Sequence, residues 1–294
     1  MKDLSVIIVS YNTKNITQKS LDSVIKSLSQ TPKVKAEIII VDNASTDGST
    51  ELLQRYLHKY SDFISIINNS KNVGFSKANN EAIEVSQGKY ILFLNSDAIL
   101  QDVNFEDLIY YLDKNDSVGA LTIKVLLPTG KIDWASHRGT PNIWRSLTYF
   151  SKLELLFSHV PKLAKYFGGY HLKHLDLNTI HEIDSPSGAF YFTRKEILNK
   201  TGGFDTRFFM YGEDLDLSYR IKKLGYKIIY YPMFTVCHLK YRSGLKRGLT
   251  STEKQTKNYF YEAMKEFYNK HSAPHHPRFI SKLVHLLINL KKRF

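Results

Sequence analysis

The chain lacks several features by which other classes of protein are recognised. Only Cys237 among its 294 residues is a cysteine, so an internal disulfide and a disulfide-stabilised scaffold are excluded. No stretch reaches the ~18 uninterrupted apolar residues that a transmembrane helix needs. The 15 glycines and 8 prolines are too few for a collagen, and no internal repeat occurs. A content of 43% hydrophobic and 23% charged residues is instead typical of a globular protein with a large core.

Negative charge is almost absent from the last quarter of the chain. The formal net charge is +13, of which residues 217–294 contribute +14 and residues 1–216 contribute −1. Asp and Glu are missing between Leu217 and Thr252 and again after Glu266. Scattered lysines usually form a solvated surface. An imbalance this one-sided favours an anionic partner, whether nucleic acid, anionic lipid or a nucleotide.

Two common nucleotide-binding motifs are also missing. No G-x-G-x-x-G follows the first predicted strand, and the chain has no G-x-x-x-x-G-K-[ST]. A dinucleotide-dependent dehydrogenase and a P-loop NTPase are therefore poor fits. A nucleotide would have to be held by carboxylates and a metal ion instead.

Apolar runs alternate with segments of helical periodicity over the first hundred residues. Strands are predicted at Leu4–Ser10, Glu37–Val41, Phe63–Ile67 and Tyr90–Leu94, and helices at Asn15–Ser29, Ser49–Tyr60 and Ser76–Ser86. This alternation predicts an α/β protein with a parallel sheet and right-handed crossovers. Because the first apolar run is too short for a signal sequence, we expect it to be a buried strand of a cytoplasmic protein.

Polar residues follow each predicted strand, at the sheet edge where ligands bind in such folds. They are Tyr11-Asn12, Asp42-Asn43, Asn68-Asn69 and Asn95-Ser96-Asp97. The preference of Asn, Asp and Ser for turns explains any one of them, but four at one edge favour a binding site.

Two residues are candidate ligands for a divalent cation. Asp97 emerges at the predicted binding edge, where a carboxylate can ligate Mg²⁺ or Mn²⁺ on a diphosphate. His238 follows the predicted strand Tyr230–Val236, and a lone histidine is usually structural. If the end of this strand folds back toward Asp97, the two side chains form a suitable pair for Mn²⁺.

Three carboxylates occur within four positions, at Glu213, Asp214 and Asp216. Such groups repel one another unless a cation or a helix N-terminus compensates. Their spacing fits the start of a helix. They either cap this helix or provide a carboxylate that removes a proton from an acceptor hydroxyl.

Two segments are less regular or stand apart from this pattern. Trp134–Glu182 is rich in His, Lys and aromatic residues, and we predict a partly helical insertion near an acceptor site. Arg278–Phe294 has aliphatic residues on one helical face and basic residues on the other. This pattern is typical of a helix lying in a membrane interface or packed on the protein's own core.

The motifs together resemble those of the family 2 glycosyltransferases, specifically the branch that contains bacterial rhamnosyltransferases. The matching segments are 5–12, 41–49, 72–80, 93–97, 187–190, 202–205 leading into 208–216, and 236–238. Each segment is short, but seven in this order are specific. Trp134–Glu182 and the end of the chain fall outside the pattern.

The resemblance implies a GT-A fold, in which helices flank a Rossmann-like mixed sheet, with a helical C-terminal extension. Residues 1–125 would form the nucleotide-sugar-binding half, and residues 126–250 the acceptor-binding and catalytic half of the same domain. Residues 251–294 would form a basic extension that contacts a membrane surface.

The resemblance also implies a set of site residues. Asp214 matches the general base, with Glu213 and Asp216 as supporting acids. The nucleotide sugar would be bound by Tyr11, Asn12, Asp42, Asp47, Asn79, Asn95, Ser96 and Asp97, the divalent cation (Mg²⁺ or Mn²⁺) by Asp97 and His238, and the acceptor by Gly188, Ala189 and Glu213. Asn95 replaces the first carboxylate of the usual D-x-D motif, which implies a modest metal affinity. Lys240 and Arg242 would face the donor diphosphate.

The function that this resemblance implies is inverting sugar transfer. We expect a cytoplasmic protein, for which the basic tail offers peripheral attachment to the inner face of the cytoplasmic membrane as one alternative. The donor would be a nucleoside-diphosphate sugar, with dTDP-L-rhamnose and a UDP-linked hexose as alternatives. The acceptor would be a cell-envelope or polyprenyl-diphosphate-linked glycan. The charge alone would also suit a nucleic-acid-binding protein, but no recognisable module supports that alternative. An inactive sugar-binding relative is a third alternative.

Overall fold

The computed structural model describes residues 2–157, 159–240 and 251–293. The strands are Lys2–Ser10 (β1), Ala36–Asp42 (β2), Ile64–Asn68 (β3), Gly88–Phe93 (β4), Ala98–Gln101 (β5), Val118–Leu126 (β6), His181–Ile183 (β7), Tyr191–Arg194 (β8) and Lys227–His238 (β9). The α-helices are Lys14–Ser29 (α1), Ser49–Lys59 (α2), Phe75–Val85 (α3), Phe105–Asp113 (α4), Ile143–Phe150 (α5), Leu153–Leu156 (α6), Pro161–Phe167 (α7), Lys195–Thr201 (α8), Glu213–Lys223 (α9), Ser251–His271 (α10) and Arg278–Arg293 (α11).

The nine strands found in the described part of the chain belong to one mixed sheet, consistent with the predicted α/β class. Eight strands follow the order β3-β2-β1-β4-β8-β6-β9-β5, and β7 pairs with β9. The strands β3, β2, β1 and β4 are parallel, whereas β8 runs antiparallel to both β4 and β6. The parallel half therefore presents the carboxyl ends of its strands at one edge, where the predicted polar residues lie.

Helices cover both faces of the sheet, so its central strands are apolar on both sides. On one face Val6 and Ile8 of β1 pack in a cluster with Leu21 of α1 and Phe105 of α4. On the other face Ile7 packs in a cluster that contains residues of α3, α8 and α9. Consecutive residues of β1 thus enter opposite cores, because side chains alternate along a strand.

The segment between β6 and β7 contains three short helices, α5 to α7, within the range predicted to be partly helical. Its first part is tied to the rest of the protein by buried polar contacts. Asp184 accepts hydrogen bonds from the Thr140 amide at 2.7 Å and from Nη1 of Arg145 at 3.0 Å. The Asn142 side chain caps α5 by accepting from the Arg145 amide at 2.8 Å.

The C-terminal helices pack on the turn that leads into α9. Ala263 and Phe267 of α10 are buried against Phe208, and Tyr259 stacks on Phe209 with ring centroids 4.6 Å apart. In α11 only Ile288 is buried. No helix among the described residues has the length and apolarity needed to cross a membrane.

Candidate active site

The register of two antiparallel strands brings Asp97 and His238 together. β5 begins directly after Asp97, and its first residue, Ala98, pairs with His238 at the end of β9. The Leu239 amide donates to the Asp97 carbonyl at 2.8 Å and fixes this end of the pairing. Oδ1 of Asp97 lies 3.2 Å from Nε2 of His238. The end of β9 therefore folds back toward Asp97. The sequence analysis required this arrangement for Asp97 and His238 to form a cation-binding pair.

Asp133, which the sequence analysis did not identify, orients the imidazole of His238. Nδ1 of His238 donates to Oδ2 of Asp133 at 2.7 Å, and Lys240 donates to the other oxygen at 2.8 Å. Burial lowers the pKa of His238, but the hydrogen bond to Asp133 and the adjacent Asp97 carboxylate outweigh it and raise this pKa to about 9. The contact with Asp133 leaves Nε2 directed at Asp97, which is the arrangement of histidines that bind metals.

Two buried atoms of this group lack a hydrogen bond within the described part of the chain. They are Oδ2 of Asp97 and Nε2 of His238, which meets Asp97 without hydrogen-bond alignment. Buried polar atoms without partners are costly, and an oxygen beside an imidazole nitrogen is a donor set that Mn²⁺ accepts. In the part of the chain that the structure describes, no group of three or more His, Cys, Asp or Glu side chains could hold a metal ion. A cation here would therefore need further ligands from a diphosphate or water.

A strained turn delivers the acidic residues at the start of α9. Tyr211 and Gly212 both have positive φ angles, of 69° and 78°. A Cβ atom on Gly212 would lie 3.2 Å from the Phe208 ring and 3.3 Å from Cβ of Ala263, so the turn has little room for a side chain. Non-glycine residues with positive φ concentrate at functional sites. This turn buries both Glu213 and Asp214.

Asp214 forms a buried ion pair with Arg138, which is the second residue that the sequence analysis missed. Nη2 of Arg138 donates to Oδ2 of Asp214 at 2.7 Å and to the Pro186 carbonyl at 2.5 Å. The Leu215 amide donates to the other carboxylate oxygen at 2.7 Å. The Asp214 carboxylate is thus held in one orientation by a cation and by the helix N-terminus.

Glu213 lies in a different electrostatic environment from its neighbour. Burial, followed by the charge of Asp214, raises the pKa of Glu213 to about 8. Burial also raises the pKa of Tyr211 to about 12, and the charges of Glu213 and Asp97 contribute. Both charges act on Tyr211, which stands directly before the acidic start of α9.

The segment Ser185–Gly188 connects the two parts of this site. Its Pro186 carbonyl accepts from Arg138, and its Gly188 carbonyl accepts from the Asn95 amide at 3.0 Å. Gly188, a predicted acceptor-side residue, therefore lies against the loop that carries Asp97. Ala189 is fully buried in the core, so its side chain faces away from a substrate.

At the carboxyl ends of β1 and β2, polar side chains organise the loops of the predicted nucleotide site. Asp42 accepts from the Ser45 amide at 3.1 Å and from the Thr50 hydroxyl at 2.6 Å. The Asn12 side chain accepts from the Thr46 amide at 2.7 Å. Hydrogen bonds from Lys14 and Ser49 to Asp47 outweigh its slight burial and lower its pKa. Tyr11, beside them, leaves 46% of its surface exposed.

Two more predicted residues lie inside the fold at this edge. Asn79 is buried in α3, where its side-chain amide donates to the Phe75 carbonyl at 2.8 Å. The hydroxyl of Ser96 lies 3.3 Å from that of Thr13, which links the loop of Asp97 to the loop after β1. Arg242 lies outside the described residues.

Asp216 interacts mainly with the C-terminal extension. Its side chain is fully buried and contacts three basic side chains: Arg220 at 2.7 Å, Lys270 at 2.5 Å and His271 at 2.7 Å. Burial raises its pKa, but the hydrogen bonds from His271 and Lys270 outweigh burial and keep this pKa below its usual value. The structure thus gives Asp216 partners on α9 and α10, and not on the loops that carry Asp97 and Arg138.

A mixed sheet flanked by helices, with these residues at its edge, defines a GT-A glycosyltransferase. The model of the family described as Glycosyl transferase family 2 matches residues 5–176, and the chain belongs to this family. The match includes most of Trp134–Glu182, so the prediction that this segment lies outside the family pattern was wrong. The segment supplies Arg138, which reaches the predicted base.

Two curated relatives differ in how much of the chain they match. The N-acetylglucosaminyl-diphospho-decaprenol L-rhamnosyltransferase of Mycobacterium tuberculosis is 25% identical over 252 residues, 82% of this chain and 77% of that protein. The Poly(ribitol-phosphate) beta-glucosyltransferase of Bacillus spizizenii is 35% identical over 108 residues. That match spans 35% of this chain and only 17% of the relative's length.

A solved structure shares the fold over nearly the whole chain. The mannosyltransferase PcManGT from Pyrobaculum calidifontis, in complex with GDP-Man and Mn²⁺, superposes with a TM-score of 0.60 at 18% identity. The superposition covers 95% of this chain and 67% of that one. The similarity establishes the GT-A fold.

Proposed function

We propose that this glycosyltransferase moves a sugar, with inversion, from a nucleoside diphosphate to a hydroxyl group of a cell-envelope glycan. The observation that carries the proposal is that the segment Ser185–Gly188 links the Asp97–His238 pair to the acidic start of α9, through the Asn95 amide on one side and Arg138 on the other. One part suits a diphosphate bound with a cation, and the other suits a reacting hydroxyl. Residues 1–125 would bind the donor and residues 126–250 the acceptor.

On the donor side, Tyr11 offers an exposed ring for the nucleobase, beside loops that Asp42 and Asn12 hold in place. Asp97 and His238 would hold Mg²⁺ or Mn²⁺, which when bound stabilises negative charge on the diphosphate leaving group. Lys240 is held beside His238 by its ion pair with Asp133, and its ammonium group would add positive charge near the diphosphate. A PcManGT complex with Mn²⁺ on the same fold supports this assignment.

On the acceptor side, Asp214 would act as the general base. Its carboxylate takes the hydroxyl proton while the acceptor oxygen bonds to the anomeric carbon. The bond from that carbon to the diphosphate oxygen breaks on the opposite face, so one displacement inverts the configuration. Arg138 keeps the Asp214 carboxylate oriented through their 2.7 Å contact. Glu213, whose carboxyl group is largely protonated below its pKa of about 8, is a hydrogen-bond donor at neutral pH.

For the donor we propose dTDP-L-rhamnose, and a UDP-linked hexose is the alternative. The rhamnosyltransferase of M. tuberculosis matches 82% of this chain, and its name describes a polyprenyl-diphosphate-linked acceptor. We propose an acceptor of this lipid-linked type. The basic and apolar helix α11 supports attachment to the inner face of the cytoplasmic membrane, where such an acceptor would be presented.

A thermal-shift screen of nucleotide sugars tests the donor. We expect dTDP-L-rhamnose at about 100 times its dissociation constant, with Mn²⁺, to add about 2.7 kcal/mol to the free energy of unfolding. At roughly 2 °C or more per kcal/mol, the melting temperature should rise by several degrees. Stabilisation by UDP-hexoses alone would select the alternative donor. No stabilisation by any nucleotide sugar would contradict the proposed activity.

The substitution Asp133→Asn tests how His238 is positioned. We expect Mn²⁺ affinity in the presence of dTDP to fall about 10- to 100-fold, because residues that orient a metal-binding histidine have effects of this size. Electron paramagnetic resonance of free Mn²⁺ measures the change. Asp116→Asn, at a side chain that is 97% exposed, is the matched control. Equal Mn²⁺ affinities in the two variants would show that Asp133 does not position a cation ligand.

A further inference from the structure

The outer side of α11 is an apolar stripe without a partner in the described part of the chain. Its exposed residues, 41% to 68% accessible, are Phe279, Leu283, Leu286, Leu287 and Leu290. Their spacing places them along one side of the helix. Polar contacts attach α11 to α10: His285 meets the Asn269 side chain at 2.8 Å, and Lys292 pairs with Glu262 at 3.0 Å. The packing of α11 on α10 therefore leaves these five apolar side chains in solvent.

The segment from α5 to α7 exposes a second set of large apolar residues. They include Ile143, Leu147, Leu156, Val160 and Tyr166, with exposed fractions between 41% and 69%. Single exposed apolar residues are normal on a protein surface. A concentration of them in one short segment marks an interaction site.

These two elements are neighbours. At one end, a groove is lined by Asn142, Ile143 and Trp144 together with His271, Ser272, His275 and His276, just before α11 begins. At the other end, Nζ of Lys291 near the end of α11 lies 6.0 Å from the ring of Phe150 at the end of α5. The start of α5 therefore lies near the segment that precedes α11, and the end of α5 lies near the end of α11. We call the exposed apolar residues of α5 to α7 and of α11 the lipid face.

The charged side chains of the two elements that form the lipid face are almost all basic, and two of them, Arg145 and Lys292, pair with acids of neighbouring elements. Residues 278–293 hold five Lys and Arg and no acid. Residues 143–167 hold four Lys and Arg, and their one acid, Glu154, is buried and paired with His171 and Lys173. A second copy of this chain would bring two positive surfaces together, whereas anionic headgroups complement them. Exposed leucines flanked by lysines and arginines are the composition of elements that lie in an anionic membrane interface.

We infer that α5 to α7 and α11 dock together on an anionic lipid bilayer. The inference rests on the proposed membrane-bound acceptor and adds the middle segment as a second lipid-binding element. Arg138, which holds Asp214, precedes α5 by a few residues, and Arg145 of α5 is anchored to Asp184 beside Arg138. Docking through α5 therefore places the proposed base close to the membrane surface, where the hydroxyl of a lipid-linked acceptor lies.

Sedimentation of the full chain with phosphatidylglycerol-containing and with pure phosphatidylcholine vesicles tests the inference. We expect binding to the anionic vesicles to fall at least tenfold in Leu147→Asp/Leu156→Asp and in Leu286→Asp/Leu287→Asp. The pair Val85→Asp/Tyr110→Asp, at exposed positions of α3 and α4, should bind like the unmodified chain. All these side chains are exposed, so melting temperatures should be preserved.

Three outcomes would overturn the inference. Wild-type vesicle binding by the α5–α6 pair would exclude the middle segment from the lipid face. Equal binding to both vesicle types would exclude recognition of anionic lipid. A dimer that dissociates in the leucine variants would show that a second copy covers the face. Donor hydrolysis, measured in the same samples without vesicles, separates these outcomes from failure of the proposed activity, because the variants should retain it.

Discussion

Asp214→Asn is expected to lower sugar transfer by about three orders of magnitude and to leave donor binding unchanged. General base catalysis contributes about 10²- to 10⁴-fold, and the amide cannot accept the proton of the acceptor hydroxyl. Donor affinity should persist because the proposed donor contacts lie on the loops of Asp42 and Asp97. Initial rates of transfer and a dTDP binding titration measure the two effects.

The buried partner of Asp214 requires a second variant. Asp214→Asn leaves Arg138 as a buried cation without its anion, and such a loss costs about 3–5 kcal/mol in stability. The variant Arg138→Gln/Asp214→Asn removes both charges and should be equally inactive. Glu213→Gln is the matched control at the neighbouring carboxyl group, and we expect a smaller loss because the amide retains a hydrogen-bond donor. Wild-type turnover in a folded Asp214 variant would refute its role as the base.

Asp216→Asn is expected to lower the free energy of unfolding substantially. The substitution leaves Arg220, Lys270 and His271 without the buried carboxylate that all three contact. Breaking a buried ion pair costs about 3–5 kcal/mol in stability. We expect a loss near the lower end of this range, because Lys270 keeps its second ion pair, with Asp205. The melting temperature should fall by roughly 6 °C or more. Because Asp216 joins α9 to α10, amide exchange in α10 should accelerate more than exchange in β1.

This experiment also separates two roles for Asp216. If it anchors α10, activity should fall only in proportion to the loss of folded protein, and Asp116→Asn should change neither stability nor activity. If Asp216→Asn instead abolishes transfer at unchanged stability, Asp216 is a supporting acid of the reaction, as the motif comparison implied. A stability loss below about 1 kcal/mol would contradict the anchoring role.

The first half of the fold was predictable because its signals are local. Strands β1, β2 and β4 are largely buried on both faces, so their sequences are nearly continuous apolar runs. The predicted strand Leu4–Ser10 corresponds to β1 at Lys2–Ser10, and the predicted helix Asn15–Ser29 to α1 at Lys14–Ser29. The short strand β5 was missed, because four residues carry too little pattern to be recognised.

The candidate site was predictable only where its residues belong to motifs. Asp97, His238 and Asp214 were identified, but their partners Asp133 and Arg138 lie 105 and 76 positions away along the chain. No periodicity or spacing signals such contacts, since they depend on the packing of distant segments. Similarly, the local sequence does not distinguish Asp216 from Asp214. Their partners differ because Asp216 contacts Lys270 and His271 of α10, whereas Asp214 contacts Arg138. Of the two alternatives for α11, packing on the protein itself is seen on the side that contacts α10, and the other side faces solvent.

The pairing of β5 with β9 has a consequence for how this enzyme tolerates insertions. β5 has four residues and lies at the end of the strand order, so the geometry of the Asp97–His238 pair depends on a short edge ladder. A slip of one residue would place Cys237, instead of His238, opposite Ala98. It would also turn the side chains of β9 to the opposite side of the sheet, since neighbouring strand residues face opposite sides. A single residue inserted within β9 should therefore move the imidazole of His238 away from Asp97 and bring the thiol of Cys237 to its place. A residue inserted in the connection between β5 and α4 should leave the Asp97–His238 pair intact.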